Sequence, residues 1–212
     1  MRLAVTSLLI VCLGGLPSIV LAGPTKDALQ DYFESVTSLR GSFVQTTRDE
    51  TGAVVKRSEG RFSLKRPDRF YWLYETPFEQ RLISDGDWLY SYDVELAQVT
   101  VRQLQEMLGV GPAVVLSGDY ENLERSFRVT AGKQGWYQLD PRDEDWEFQR
   151  VRLKLKDGIP AIVRVRDGLG QTLHLELKEL ERNPGIPDER FAFDMPEGAD
   201  VIAPDEFDAS RR

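Results

Sequence analysis

The chain of 212 residues holds one histidine and one cysteine, so the residue types that most often carry chemistry are nearly absent. His174 alternates with Leu173, Leu175 and Leu177 and shares the opposite parity with Glu176 and Lys178. That pattern makes it a solvated strand residue; with no second histidine and no nearby cysteine it is a poor metal ligand. Cys12 follows Leu9-Ile10-Val11 near the start of the chain. It has no partner for a disulfide or a thiolate zinc site, and it does not stand where a lipid-anchoring cysteine would be cleaved and acylated. Asp85-Gly86-Asp87 has the opening of a calcium loop but lacks the later ligands and the closing glutamate, and Asp-Gly is a common hairpin turn. Asp143-Glu144-Asp145 reads as a solvated loop. No glycine-rich phosphate loop, G-x-S-x-G or H-E-x-x-H motif occurs. The 35 acidic residues leave a carboxylate-pair hydrolase open, but no spacing selects a pair. The expectation is a protein without catalysis, cofactor or metal.

Aromatic side chains are the feature that stands out. Nine of the 21 aromatics lie between Phe62 and Tyr92. Phe70, Trp72 and Tyr74 share one strand face, and Trp88, Tyr90 and Tyr92 share one face of another. An ordinary core explains such a concentration. So does the lining of a ligand cavity, if a single curled sheet has its inner face covered only by helices.

The elements that must position these residues follow from periodicity. Ala28, Leu29, Tyr32, Phe33, Val36 and Leu39 predict an amphipathic helix over 25–39, with Thr25 as N-cap and Gly41 beyond its end. Short alternating segments then predict strands near 41–48, 53–64, 68–75, 79–84, 87–92 and 96–102. Residues 103–124 break the pattern with short helical turns at 103–108, at 112–117 with Pro112 leading, and at 119–123. Strands resume near 125–131, 135–140, 146–156, 160–167 and 170–181. Eleven strands with short links, all but one, imply an antiparallel meander in one mainly β domain. Residues 203–212 read as a polar tail that frays.

The first 22 residues have a positive start at Arg2, an apolar run from Leu3 to Leu13, helix breakers at Gly14, Gly15 and Pro17, and small residues at Val20-Leu21-Ala22. This is the pattern of a cleaved secretory signal peptide, and no later segment is apolar enough to span a bilayer. Cleavage removes Arg2 and no acid, taking the net charge one unit further negative than −8. An acidic balance argues against nucleic acid and against adhesion to anionic headgroups. Of the 27 basic residues, 20 are arginine. They are scattered along the chain, which fits composition bias better than an anion site.

The run Leu64-Lys65-Arg66-Pro67-Asp68-Arg69-Phe70-Tyr71-Trp72 then becomes informative, followed as it is by Pro77, Asp85-Gly86, Leu89, Tyr92 and Gln98. With Ser42 to Gln45 before it, a Pro-led segment at Pro112 and Phe191-x-Phe193 with Pro196 near the end, it resembles the LolA family of lipoprotein carriers. The resemblance spans essentially all of 23–202. Its departures are the acidic tail after Ile202 and the slim Ala113-Val114-Val115.

The resemblance implies an incomplete antiparallel β-barrel closed by an N-terminal helix and a helical lid, in a monomeric periplasmic chaperone. It implies that Arg66 locks the lid by hydrogen bonds to backbone carbonyls near Leu116 and Ser117. It implies an acyl-chain cavity, to which the aromatic pattern assigns Phe62, Leu64, Phe70, Trp72, Tyr74, Trp88 and Tyr90, with the rim around Phe70 as a docking surface. The implied partners are outer-membrane lipoproteins as cargo, an inner-membrane Lol ABC transporter as donor and a LolB-type receptor as acceptor. Nucleic acid and stable membrane insertion are not expected. The competing readings are a LolB-like receptor, which needs a lipidated N-terminal cysteine, and a secreted carbohydrate-active hydrolase with a carboxylate pair.

Overall fold

The computed structural model describes residues 26–104, 112–143 and 148–207. The expected signal peptide, the Thr25 cap, residues 105–108 of the expected helical turns and Glu144-Asp145 lie outside these residues. Chain order runs α1 (Lys26–Ser35), β1 (Ser38–Arg48), β2 (Val54–Lys65), β3 (Arg69–Thr76), β4 (Gln80–Asp85), β5 (Trp88–Asp93) and β6 (Gln98–Gln103). It continues with α2 (Pro112–Ser117), α3 (Tyr120–Ser126), β7 (Phe127–Ala131), β8 (Trp136–Pro141), β9 (Phe148–Lys156), β10 (Ile159–Asp167) and β11 (Thr172–Arg182). A 3-10 turn (Asp188–Phe191) and β12 (Asp200–Ile202) follow.

The described strands make one open sheet in the order β12-β6-β5-β4-β3-β2-β1-β11-β10-β9-β8-β7. Two meanders are joined where β1 pairs with β11. Eleven strands were expected and twelve are present among the described residues. The extra one, β12, is three residues long and lies parallel to β6, with Val201 opposite Val99. Three exposed residues carry no alternation that could announce a strand.

Two glycines set close approaches within the sheet. A Cβ on Gly60 would stand 1.9 Å from the Leu73 carbonyl oxygen, at the register shift between β2 and β3. One on Gly41 would stand 2.6 Å from the Lys178 carbonyl oxygen, at the shift between β1 and β11. Bulges of this kind bend a strand and sharpen its twist.

Helices α1, α2 and α3 cover one face of the sheet, which we call the inner face. Leu29, Tyr32, Phe33 and Val36 of the α1 region, Ala113 to Leu116 of α2, and Leu123 of α3 are buried in one cluster with Phe43, Phe62, Leu64, Phe70 and Trp72. Helix α1 stops at Ser35, four residues short of the periodic pattern, and Leu39 is buried as a β1 residue instead. Tertiary partners capture the helix end. The Asn183 side chain accepts from the Thr37 amide (2.8 Å) and donates to the Ser35 carbonyl (2.9 Å), while the Arg66 amide donates to the Thr37 carbonyl (2.8 Å).

A second cluster lies on the outer face. Register places Tyr71 opposite Ile83, Ile83 opposite Tyr90 and Tyr90 opposite Val101. The C-terminal segment covers them: Phe193 stacks on Tyr90 at 4.8 Å and Phe207 meets Trp88 edge-on at 5.2 Å. Trp88 and Tyr90 therefore do not line the inner face with Phe70 and Trp72, as expected from sequence, but back onto it. Alternation gives each strand's faces correctly. Which face continues across the 77–79 link depends on its register, which composition does not encode. Leu89 is the β5 residue that joins the inner cluster.

Candidate functional site: the lid and the inner face

The inner face of β1–β3 is aromatic. Phe43 sits 4.6 Å from Trp72 and 5.2 Å from Tyr74, and Phe62 stacks on Trp72 at 4.9 Å. The Tyr74 hydroxyl donates to the Gln45 side chain (3.1 Å), and burial pushes its pKa up to about 12. Phe62, Leu64, Phe70, Trp72 and Tyr74 share this face, as expected. They are packed against the helices rather than around an open cavity; Phe70 is only 1% exposed, so with the lid down it offers nothing to a partner.

Helix α2 stands where the lid is expected. Ala113, Val114, Val115 and Leu116 are buried against β2 and β3. Its start follows from Pro112, whose fixed φ and missing N–H suit the first helical position. Its end is set by Gly118 and by Asp119, which caps α3 by accepting from the Asn122 amide (2.6 Å).

Arg66 holds both ends of the cover. Its Nε donates to the Val36 carbonyl (2.8 Å) and its Nη1 to the Gly118 carbonyl. The guanidinium lies over the rings of Phe33 (4.4 Å) and Tyr32 (4.8 Å). The expected acceptors were Leu116 and Ser117. The structure puts the Arg66 bond one residue further on, and gives the Ser117 carbonyl to the Asp68 amide (3.0 Å). Leu116 contributes a fully buried side chain.

The polar groups around Arg66 are not fully satisfied. Among the described residues Arg66 Nη2 and the Tyr32 hydroxyl have no hydrogen-bond partner, although both are buried. Burial pushes the Arg66 pKa down, opposed by Tyr32, Asp68 and Asp119. Burial, reinforced by Asp119 and opposed by Arg66, holds the Asp68 carboxyl above its ordinary range. An enclosed cation with an unpaired donor costs free energy, which offsets part of what the two Arg66 hydrogen bonds contribute. Sequence reasoning passed over Asp68, Gly118, Asp119 and Asn183. The Gly-Asp pair between two helical segments was the available signal for the middle two.

Three recesses bear on what could bind. A cavity of about 180 Å³ opens at the start of the lid, lined by Thr47, Pro112, Phe148, Val165, Asp167, Gln171 and Leu173. None of the expected cavity residues lines it, and it is smaller than the roughly 300 Å³ at which sites for drug-sized ligands begin. A void of about 20 Å³ separates α2 from α3. On the outer face a groove of about 670 Å³ runs past Arg40, Ser42, Arg61, Tyr71, Leu73, Glu179, Glu181 and Arg190. Its acids are engaged: Arg40 holds Glu181 at 2.5 Å and keeps it below the usual carboxylate range, and the Ser42 hydroxyl donates to Glu179 (2.9 Å). His174 is tied into the sheet surface, accepting at Nδ1 from Arg164 (3.0 Å) with Nε2 facing Glu176 (3.2 Å).

Comparison with known proteins gives a consistent answer. The profile of the family described as "Outer membrane lipoprotein carrier protein LolA" matches residues 34–194. A protein of Alkalilimnicola ehrlichii named outer-membrane lipoprotein carrier protein is 43% identical over 203 residues, covering 95% of each chain. A protein of the same name from Halorhodospira halophila is 45% identical over 178 residues, covering 84% of this chain and 85% of its own. Among solved structures, a LolA superfamily protein from Nitrosomonas europaea shares the fold with a TM-score of 0.50 at 13% identity, over 80% of this chain and 98% of its own. An uncharacterized conserved protein from Thermus thermophilus gives 0.52 at 14% identity, over 84% of this chain and 98% of its own.

Proposed function

The chain belongs to the LolA family of outer membrane lipoprotein carrier proteins, and on that premise we propose that it is a periplasmic chaperone which takes lipoproteins from an inner-membrane Lol ABC transporter and delivers them to a LolB-type receptor. The observation that carries the mechanism is a buried apolar lid fastened to an aromatic sheet face by few polar contacts, chiefly Arg66 to Gly118 and Asp68 to Ser117.

Acyl chains impose the mechanism. Burial is worth about 0.8 kcal/mol per methylene, so a triacylated lipoprotein with on the order of 45 methylenes faces roughly 35 kcal/mol on entering free water. The carrier must supply apolar surface throughout. In the closed state that surface is occupied by α2, and the 180 Å³ opening beside Pro112 is the entry. Loading therefore lifts the lid, exposing Phe62, Leu64, Phe70, Trp72 and Tyr74 to the chains and Phe70 to a partner at the rim. Breaking a hydrogen bond of the lock costs about 1 kcal/mol net, or up to about 3 where one partner is charged. Unloading restores these bonds, so the empty carrier closes and the cargo passes on.

Neither competitor is favoured. A LolB-like receptor would need an acylated cysteine at its mature start, and Cys12 is the single cysteine of the chain. In the outer groove Arg40 holds Glu181 below the usual carboxylate range, the opposite of what a general acid needs, and the Ser42 hydroxyl donates to Glu179. Expression in a bacterium depleted of its own lipoprotein carrier tests the role. Growth with correctly sorted lipoproteins is expected; lipoproteins stranded at the inner membrane despite folded, exported protein would refute it.

A further inference from the structure

The arginines that look scattered in the sequence converge in the sheet. On the outer face of β8–β11, register aligns Arg150 with Arg166, Arg152 with Arg164, and Lys154 with Trp136. The intervening residues, such as Val151, Leu153, Val163 and Val165, are buried in the inner cluster, so these cations all project outward. The carboxylates on the same three rows are Asp140, 3.6 Å from Arg150, and Glu176, beside His174 and Lys178. Among the described residues Arg152, Lys154, Arg164 and Arg166 have no ion pair. Trp136 lies among them, with Arg152 at 4.7 Å, Arg164 at 4.8 Å and Lys154 at 5.7 Å from its ring centre.

Like charges directly across a strand pair oppose folding. Of the two consecutive arginine–arginine pairs only Arg150 has a carboxylate partner among the described residues, at 3.6 Å, so an outside anion would offset the remaining repulsion. The position of the patch indicates which anion. The Arg150–Arg166 row continues through Thr172 to Arg48, and the chain neighbours Thr47, Val165, Asp167, Gln171 and Leu173 line the cavity with Phe148 and Pro112; the Asp167 carboxylate there is taken up by the Leu169 and Gln171 amides. A cationic rim thus adjoins an apolar opening, which is the arrangement of a phospholipid surface: phosphate outside, hydrocarbon within. The charge is spread flat over four strands around one amphipathic tryptophan. Basic side chains around a tryptophan suit the headgroup level of a membrane, where indole rings gather and each cation gains from anionic lipid.

We propose that the outer face of β8–β11 docks on anionic phospholipid headgroups and holds the lid opening against the membrane. The proposal rests on the carrier reading only for why a membrane is near. Net charge gave the opposite expectation because it averages over the molecule, whereas screening confines each contact to within about 10 Å at 0.1 M salt.

Vesicle flotation with the mature chain tests it, using phosphatidylcholine alone and a mixture with phosphatidylglycerol. Binding to the anionic vesicles only, lost at about 1 M salt where screening falls to about 3 Å, is expected. Arg152→Gln with Arg166→Gln removes two exposed cations and relieves cross-strand repulsion, so the melting temperature holds or rises. At roughly fivefold per charge, binding falls about thirtyfold. No binding to anionic vesicles at low salt, equal binding to phosphatidylcholine, or an unchanged double variant overturns the proposal. Saturable binding to polyglutamate without vesicle binding also overturns it, assigning the face to an acidic polypeptide. The assay contains no lipoprotein, so its failure leaves the carrier reading standing.

Discussion

Arg66→Leu isolates the lock. Leucine keeps part of the aliphatic stem over Phe33 and Tyr32 but loses the donors to Val36 and Gly118. The Val36 bond fastens the end of α1, whereas the Gly118 bond alone ties Arg66 to the lid. The Asp68–Ser117 bond joins main-chain groups and survives. A hydrogen bond with one charged partner contributes about 1.5–3 kcal/mol. Relief of the unpaired Nη2 works against that figure, so the lower half of the range applies. At 1.4 kcal/mol per factor of ten, lid opening becomes about ten- to fortyfold easier. Two readouts follow. The Asp68 amide, whose acceptor is the Ser117 carbonyl, exchanges with solvent when the lid lifts; its exchange should accelerate by that factor while amides in the centre of the β1–β2 ladder hold. The variant should also load lipoprotein and then retain it, because closure no longer repays release. Unchanged Asp68 exchange together with transfer at the normal rate would refute the lock.

Asp68→Asn should strengthen closure at neutral pH, seen as a higher melting temperature. The Asp68 carboxyl is raised by burial, so the closed state binds its proton more tightly than the unfolded chain. The destabilisation is present above the raised pKa and is relieved as pH falls through it toward the unfolded value near 3.9, so the gain from asparagine should vanish at that acidic end. Trp72→Leu should impair loading and Trp88→Leu should not, since their rings lie on opposite faces; equal effects in a release assay would refute that assignment. Gly60→Ala should cost about 1–3 kcal/mol in denaturant titration, because its Cβ meets the Leu73 carbonyl. Leu173→Trp, placed at the small opening, should slow loading without lowering the melting temperature.

The strands and lid segments were legible because their signals are local. Alternation marked β1 to β11, Pro112 marked the lid, and the run from Leu64 to Trp72 carried the family. What escaped depends on pairing. The inner or outer side of Trp88 and Tyr90 follows from the registers across 77–79 and 86–87 together, and β12 pairs only with the edge that β6 offers. The end of α1 is set by Asn183 and Arg66, distant in sequence, rather than by its own periodicity. The shift of the Arg66 acceptor to Gly118 reflects where α2 terminates, which is a matter of backbone geometry. The cationic rows escaped for the same reason: residues separated along the chain become neighbours only through the ladder.

The central claim is that this protein carries acyl chains through water. The most direct measurement is incubation of the mature chain with spheroplasts retaining newly made outer-membrane lipoproteins, followed by separation of membranes from supernatant. A soluble complex of chain and lipoprotein is expected, absent when acylation of the lipoprotein is prevented. Lipoproteins that stay in the membrane fraction, under conditions where a relative from the same family releases them, would contradict it.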